Sequence, residues 1–257
     1  MGRWPVVAGK KEASAQARAK VFTIHAKLIS LAAAGGVDPS LNSTLADAIA
    51  NARKESVPND IIDRAIKRWG GLDKDSKQVE EIYYEWYAPG WVGVIIRALT
   101  DNKNRTAPNI RHIFSAYGWS MGETGSVSNF LFDYRGIILL NIADKSVDTL
   151  EEHIMETSAI DYSILDSQVE IITDKSHFLE TKKALEWFGY EIISAGLGYK
   201  AKNYIEVSDF DKALKIYKML EDFGNDEDVE WVWNNADINN TLWQEVAEHI
   251  ESHRFRT

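Results

Sequence analysis

Near residue 78 the spacing of apolar residues changes, and this change limits the chain to a small set of folds. Before it, apolar residues recur three and four positions apart, as on one buried face of an α-helix. The first such segment covers residues 10–34 and ends at Gly35-Gly36, a pair typical of a helix C-terminus. Two further segments of the same kind follow before residue 70. The sequence therefore predicts a helical domain over residues 1–78.

Beyond residue 78, β-type runs alternate with helical segments. The order fits two βαββαβ units, one inserted in the other, and such a unit is a ferredoxin-like sandwich. Residues 136–198 complete the inserted unit, residues 79–135 and 199–240 complete the other, and residues 241–257 form a C-terminal tail. The predicted fold class is α+β, with an N-terminal helical domain plus two ferredoxin-like α+β domains. The predicted strands are Val92–Leu99, Val127–Phe132, Gly136–Ile142, Tyr162–Leu165, Val169–Thr173, Tyr190–Ser194, Tyr199–Val207 and Val229–Trp233.

The composition argues against a membrane-spanning protein and against disulfide or thiolate chemistry. No apolar run in the sequence approaches the roughly 20 residues that a membrane-spanning helix needs. The chain has no cysteine, which excludes disulfides and thiolate metal sites. We therefore expect a cytoplasmic protein without a membrane partner.

The formal net charge of −10 is unevenly distributed along the chain. Residues 1–112 contain 17 Lys and Arg against 12 Asp and Glu, a net of +5, whereas residues 113–257 contain 12 against 27, a net of −15. Such asymmetry suggests a basic surface for a polyanion attached to acidic domains. An ordinary solvated helix face has the same composition, so charge alone leaves both interpretations open.

Motifs that carry catalysis are absent from the sequence. His249 and His253 are four residues apart in H-I-E-S-H, which lacks the H-E-x-x-H order of zinc proteases. There is no G-x-x-x-x-G-K-[ST] phosphate loop and no G-x-S-x-G nucleophile motif. The acidic run Asp226-Glu227-Asp228 has the composition of a solvated loop. We therefore expect no enzyme activity, no cofactor, no metal and no small-molecule substrate.

A predicted strand leads through a polar turn into a helix, and Lys103 and Arg105 lie at that helix entry. Exposed backbone N–H groups and the helix dipole favour an anion there, so the turn is suited to one phosphate. His112 lies seven residues beyond Arg105, about 700° of helix rotation, and is expected to share this surface. In the alternative interpretation, Arg105 pairs with a carboxylate such as Asp101 or Glu123 and stabilises the turn.

Four segments carry a resemblance to a known family: Lys20–Thr23 (KVFT), Val57–Arg68 (VPNDIIDRAIKR), Leu99–Thr106 (LTDNKNRT) and Met121–Val127 (MGETGSV). They resemble the YebC family of bacterial regulatory proteins, which includes the mitochondrial translational activator of cytochrome oxidase. The resemblance covers nearly the whole chain and implies a helical N-terminal domain and two α+β domains around a cavity. It implies a DNA-binding transcriptional regulator and no enzyme. Some members resemble instead ribosome-associated translation factors that help elongation through difficult stretches, such as proline runs.

DNA and the ribosome with its RNA are thus the two candidate partners, and both require basic residues that contact phosphates. The sequence does not separate them. The predicted nucleic-acid contacts lie in the basic N-terminal region and at the entry to the helix after residue 102. They are Lys10, Lys11, Arg18, Lys20, Lys27, Arg64, Lys67, Arg68, Lys103, Arg105 and His112.

The chain departs from the family pattern at its start and at four tryptophans. The family opens with a Ser-Lys-Trp-like element, whereas residues 2–7 read GRWPVV, so no function is carried over to residues 1–9. A large side chain is costly where a turn glycine supplies a positive φ. Either the tryptophans are drifted positions with aromatic surface for base stacking, or the native protein has glycine there because some bacteria read UGA as glycine. The tryptophans that stand where the family typically has glycine are Trp69, Trp86, Trp91 and Trp119.

Overall fold

A computed structural model gives the structure of the chain and describes residues 15–69, 78–88, 90–118, 120–121, 125–142, 145–165 and 167–254. The described residues form two compact units. The first unit lies within Met1–Val127 and Tyr204–Thr257, and the second lies within Ser128–Asn203. Because the second unit interrupts the first in sequence, we call it the inserted unit.

The first unit begins with three helices: α1 (Ala15–Ala32), α2 (Ser43–Lys54) and α3 (Asn59–Trp69). Asn42 caps α2, since its side chain accepts a hydrogen bond from the backbone N–H of Leu45 at 3.1 Å. The predicted N-terminal helical region is thus confirmed. The buried residues that hold these helices together are Ile29, Ala33, Leu45, Ile49, Ala52, Val57, Ile62 and Ala65.

A pair of long strands and a helix follow in the first unit. Strands β1 and β2 have nine residues each and pair antiparallel along their whole length. The carboxylate of Glu85 on β1 accepts hydrogen bonds from the backbone N–H groups of Gly125 at 3.0 Å and Val127 at 2.8 Å. These bonds hold residues 125–127 against the sheet. The elements of this part are β1 (Glu80–Ala88), β2 (Val92–Thr100), α4 (Lys103–Ala116) and β3 (Ser120–Met121).

The described residues of the inserted unit form α5 (Ser128–Leu131), β4 (Phe132–Asn141), α6 (Val147–Met155), β5 (Ala159–Leu165), β6 (Gln168–Thr173), α7 (Phe178–Trp187) and β7 (Glu191–Ala201). Its sheet has the order β7-β4-β6-β5 with antiparallel neighbours. Counted within the unit, this order is fourth, first, third and second strand, which is the ferredoxin-like arrangement. Ile138 and Val169 from the sheet and Leu150 and Leu185 from the helices are fully buried between the two layers.

The chain then returns to the first unit with β8 (Ile205–Glu206), α8 (Phe210–Asn225), β9 (Val229–Asn234), β10 (Ala236–Asp237) and α9 (Asn240–Arg254). The four-stranded sheet of the first unit has the order β9-β2-β1-β3, and its neighbours are antiparallel. With β2 counted as the first strand, this is again a fourth, first, third, second arrangement. Strand β1 fills the third place although it precedes β2 in the chain. The predicted α+β class, with one ferredoxin-like domain inserted in the other, is confirmed.

Three predicted strands differ from the structure. The strands predicted over Tyr190–Ser194 and Tyr199–Val207 are not separate, because residues 191–194 and 199–201 belong to the single strand β7. Residues 127–132 were expected to be a strand, but residues 128–131 form α5 and only Phe132 belongs to β4. A short apolar run does not distinguish strand from helix, and this one was assigned to the wrong class. Because β4 and β7 are longer than expected, the inserted unit covers Ser128–Asn203 rather than residues 136–198.

The C-terminal segment, expected to be a tail from residue 241, forms helix α9 instead. Leu242, Val246 and Ile250 lie four residues apart on one side of this helix and are buried in the same core as α8. Apolar residues at that spacing line one face of a helix. The many charged residues between them made the segment look like a solvated tail.

Candidate nucleic-acid interface

Helix α1 is attached to the rest of the first unit by two lysines on one of its faces. Lys20 and Lys27 are seven residues apart, about two turns, and so project from the same side. The Nζ of Lys20 donates hydrogen bonds to the carbonyl oxygens of Phe223 at 3.1 Å and Gly224 at 2.7 Å, at the end of α8. The Nζ of Lys27 donates to the carbonyl of Glu227 at 2.8 Å. Carbonyls at a helix C-terminus lack partners within the helix and favour a cation, so both amines bind internal acceptors.

Burial affects the charge of Lys20 as well as its contacts. It lowers the pKa of this lysine to about 8, although the carboxylate of Asp226 acts in the opposite direction. An amine with this pKa is still largely protonated at neutral pH, and the ammonium group donates one hydrogen bond to each of the two carbonyls of α8. Lys20 therefore holds α1 in place rather than facing a ligand.

Asp228 is the centre of the junction between α1 and α4, although the acidic run that contains it was expected to be a solvated loop. It is only 4% exposed. Its carboxylate accepts hydrogen bonds from Lys27 at 2.6 Å, from Arg105 at 2.8 and 2.9 Å, and from the hydroxyl of Thr106 at 2.7 Å. Burial raises the pKa of Asp228, but the hydrogen bonds from Lys27, Thr106 and Arg105 outweigh it, so the pKa lies below its ordinary value. The expectation of a solvated loop is wrong for this residue.

Arg105 has a second carboxylate partner, which links α4 to α3. The guanidinium of Arg105 lies 3.4 Å from the carboxylate of Asp101, and the same carboxylate lies 3.2 Å from the guanidinium of Arg68. Arg105 was expected either to bind a phosphate or to pair with a carboxylate. In the structure it pairs with two carboxylates, those of Asp101 and Asp228. Its side chain is nevertheless 55% exposed. Glu123, the other expected partner, lies outside the described residues. Asp101 thus brings Arg68 and Arg105 onto one surface.

Three more cations lie on the same two helices. Arg64 pairs with Asp60 at 2.7 Å, and Lys103 pairs with Glu80 at 2.6 Å. Lys67 is exposed. The three cations of α3 fall within about 100° of the helix circumference, so they face the same solvent region. We define the cationic cluster as Arg64, Lys67, Arg68, Lys103 and Arg105.

The remaining predicted contacts have different surroundings. Arg18 and His112 are exposed on α1 and α4, and their place in an interface stays a prediction. Lys10 and Lys11 lie outside the described residues. The two lysines that attach α1 are left out of the interface proposed below, because their amines bind internal acceptors.

Within the ranges that the structure describes, no group of three or more His, Asp or Glu side chains could hold a metal ion. Over the same ranges, no helix is long and apolar enough to cross a bilayer. His249 and His253 lie against each other on α9, with ring centroids 4.2 Å apart.

Two of the tryptophans that replace family glycines have described side chains. Trp91 has a φ of +68° and is 75% exposed, so it adopts the left-handed conformation that favours glycine. Trp86 is 3% exposed and stacks on Phe114 with ring centroids 4.1 Å apart. Its indole N–H has no hydrogen-bond partner among the described residues. The structure does not describe the side chains of Trp69 and Trp119.

Family models match both parts of the chain. The model described as the TACO1/YebC protein N-terminal domain matches residues 2–72, which include α1, α2 and α3. The model described as the TACO1/YebC second and third domain matches residues 79–236, which include the four-stranded sheet of each unit.

Similar proteins extend over most of the chain. A "Probable transcriptional regulatory protein" of Thermoanaerobacter pseudethanolicus is 40% identical over 241 residues, covering 92% of this chain and 96% of that protein. One of the same description from Listeria monocytogenes is 39% identical, covering 92% and 98%. The crystal structure of a conserved hypothetical protein from Aquifex aeolicus matches with a TM-score of 0.83 and 34% identity, covering 92% of this chain and 97% of that one. The chain therefore belongs to the TACO1/YebC family, as the resemblance of its sequence predicted.

Proposed function

We propose that this protein is a transcriptional regulator that binds nucleic acid, with DNA as the first candidate, through the cationic cluster. One observation carries the proposal: Asp101 contacts both Arg68 and Arg105 and so joins cations from two separate predicted segments on one surface. The printed descriptions of the relatives from Thermoanaerobacter and Listeria support a role in transcription.

Two ion pairs of the cluster, those of Arg64 and Lys103, are suited to exchange with phosphate because both partners are exposed. The side chains of Arg64 and Asp60 are 73% and 69% exposed, and those of Lys103 and Glu80 are both 55% exposed. Such surface pairs contribute about 0–1 kcal/mol to stability, so a phosphate can replace the carboxylate at little cost. Arginine adds bidentate hydrogen bonding to phosphate oxygens. The cluster can therefore bind a polyanion through these two exposed pairs while the contacts of Arg105 with the buried Asp228 stay intact.

A double variant, Lys67→Ala with Arg68→Ala, tests the proposed surface on purified protein. We expect it to bind labelled duplex DNA more weakly than wild type in fluorescence anisotropy, with an unchanged melting temperature. The matched control, Lys183→Ala with Lys212→Ala, removes two positive charges from exposed positions on α7 and α8 and should keep wild-type affinity. Equal affinity in the double variant and wild type would remove the cluster from the interface.

The ribosome is the competing target, since ribosomal RNA presents the same phosphates. Sedimentation of cell lysate through a sucrose gradient separates the two. Protein that stays in the upper fractions, together with DNA binding that depends on the cluster, supports a transcriptional role. Co-migration with ribosomes that the double variant loses contradicts it and identifies a translation factor.

A further inference from the structure

The sheet of the inserted unit ends in an edge strand, β7, which pairs with β4 alone among the described strands. Along one side of an edge strand, backbone N–H and C=O groups point away from the sheet and can pair with another strand. Over residues 192–198, the structure records no backbone hydrogen bond apart from the pairing with β4. Ile193 is 46% exposed, and Ala195 and Gly196 are exposed as well. This edge is therefore open to solvent.

Strand β7 lacks the features that keep the other sheet edges from pairing. Edge strands are protected by being short or by carrying charged residues or proline. In the two four-stranded sheets of the described residues, β3 has two residues, β9 contains Glu230 and β5 contains Asp161. Residues 192–199 of β7 read IISAGLGY, without a charge or a proline. A bulge at Ile193 interrupts the start of β7, and residues 194–201 keep a regular register with β4. Of these four edges, β7 is the one suited to take up a further strand.

Gly196, in the middle of β7, is not explained by packing within the described chain. A Cβ added at this position would meet nothing within 4 Å, and the φ of Gly196 lies outside the left-handed region that favours glycine. Glycine inside a strand weakens the strand and commonly marks a place where another backbone approaches closely. The two preceding residues, Ser194 and Ala195, are also small. This part of the edge therefore leaves room for a second strand.

We propose that β7 pairs antiparallel with β7 of a second copy of the chain, so that the two four-stranded sheets of two inserted units form one continuous sheet. Such a contact uses the same surface on both copies and closes as a two-fold dimer. The second copy is complementary to this edge because its own β7 is uncharged over the same residues, so the pairing buries no charge between the strands. The inference is independent of the proposed function.

The charged residues near the ends of β7 fit the antiparallel direction. The strand begins at Glu191, and Lys200, which also pairs with Glu170 within the chain, lies near its end. The partners of Glu191, Gly196 and Lys200 on β4 are residues 141, 137 and 133, so the two charges lie four positions to either side of Gly196. A two-fold axis at Gly196 places this glycine opposite its copy. It also brings the Glu191 end of each strand to the Lys200 end of the other, which favours the pairing.

Sedimentation velocity of the purified chain tests the dimer. Wild type should sediment at micromolar concentration as a species of twice 29.1 kDa. Gly196→Lys places two like charges opposite each other across the axis and should raise the dimer dissociation constant by about tenfold or more. The variant should keep its fold because the space at this position is open. The matched control is Ile160→Lys on β5, the opposite edge of the same sheet, where Ile160 is 50% exposed, and it should dimerise like wild type.

A charge exchange separates a loss of pairing from a loss of folding. Gly196→Glu should also be monomeric by itself, because two glutamates then repel each other at the same place. An equimolar mixture of Gly196→Lys and Gly196→Glu should recover the dimer, because opposite charges then face each other. A folding defect would not be repaired by mixing.

Three results would overturn the inference. The first is wild-type protein that stays monomeric from low micromolar to near-millimolar concentration. The second is a Gly196→Lys dimer as tight as that of wild type, which places the contact elsewhere. The third is a mixture of the lysine and glutamate variants that stays monomeric. None of these results affects the cationic cluster, because its test is the binding of nucleic acid.

Discussion

Asp228 joins segments that are far apart in the chain. Lys27 lies 201 residues from it and Arg105 lies 123 residues from it, yet both contact the same buried carboxylate. Removing one partner of a buried ion pair leaves the other charge without compensation, which is far more costly than losing an exposed pair. The position of α1 on the α+β domain therefore depends strongly on this one side chain.

Asp228→Asn should lower the free energy of unfolding by about 3 kcal/mol, because the variant keeps the shape but leaves Lys27 buried without a negative charge. Urea denaturation measures the change. Asp60→Asn is the matched control, since Asp60 forms an exposed pair with Arg64 and its loss should cost no more than about 0.5 kcal/mol. A similar small change in both variants would mean that Asp228 does not hold the junction.

At Trp91 the backbone conformation, rather than the side-chain contacts, determines the effect of a substitution on stability. At a φ of +68°, any residue with a Cβ is strained, so Trp91→Gly should raise the free energy of unfolding by about 1 kcal/mol. Trp91→Ala is the control, because it removes the ring but keeps the Cβ. If glycine and alanine give the same stability, the position does not favour glycine. A gain limited to glycine is the result expected if the native protein has glycine there.

Single-residue roles could be predicted only where they follow from local sequence. The cations of α3 and the helix entry at Lys103 were predicted from the local sequence, and their role in an interface stays a prediction. Asp228 was not, because its neighbours Asp226 and Glu227 gave it the composition of a surface loop and its partners are remote in sequence. The same remoteness hid the roles of Lys20 and Lys27, which were predicted as phosphate contacts and lie against α8 and Asp228.

At the scale of elements, β1 and α9 are among those that could not be predicted from the sequence. Strand β1 reads EEIYYEWYA. Its Glu85 is buried and accepts hydrogen bonds from backbone N–H groups, so a charged residue in this strand does not indicate an exposed position. Helix α9 has its apolar residues four apart between charged ones. In both elements one face packs in the core, but the many polar residues kept the apolar pattern from being recognised. In α1, α2 and α3 the apolar residues recur clearly at helical spacing, so these helices were predicted.

Val246→Ala tests whether α9 is part of the core of the first unit. Val246 is fully buried, so removing its methyl groups should lower the free energy of unfolding by about 2 kcal/mol. Glu248→Ala is the control on the exposed side of the same helix and should change stability by less than about 0.5 kcal/mol. Equal stability of the two variants in urea would show that the helix is detached in solution.

At the scale of the whole molecule, the insertion of one α+β domain into another was predictable because the order of strands and helices repeats along the chain. Which nucleic acid the protein binds could not be predicted from the sequence. The excess of positive charge in residues 1–112 includes Lys20 and Lys27, which stabilise internal contacts, so charge counts overstate the binding surface. What remains on α3 and at the start of α4 is the cationic cluster, and DNA and ribosomal RNA would both bind it through phosphates.

The dependence of log K on log salt for nucleic-acid binding measures how many phosphates the cationic cluster contacts. Each contact contributes about 0.9 to the slope on duplex DNA. We expect Lys67→Ala with Arg68→Ala to flatten the slope by about 2 units relative to wild type, and Lys183→Ala with Lys212→Ala to leave it unchanged. An unchanged slope and affinity in the α3 variant would contradict binding through this cluster.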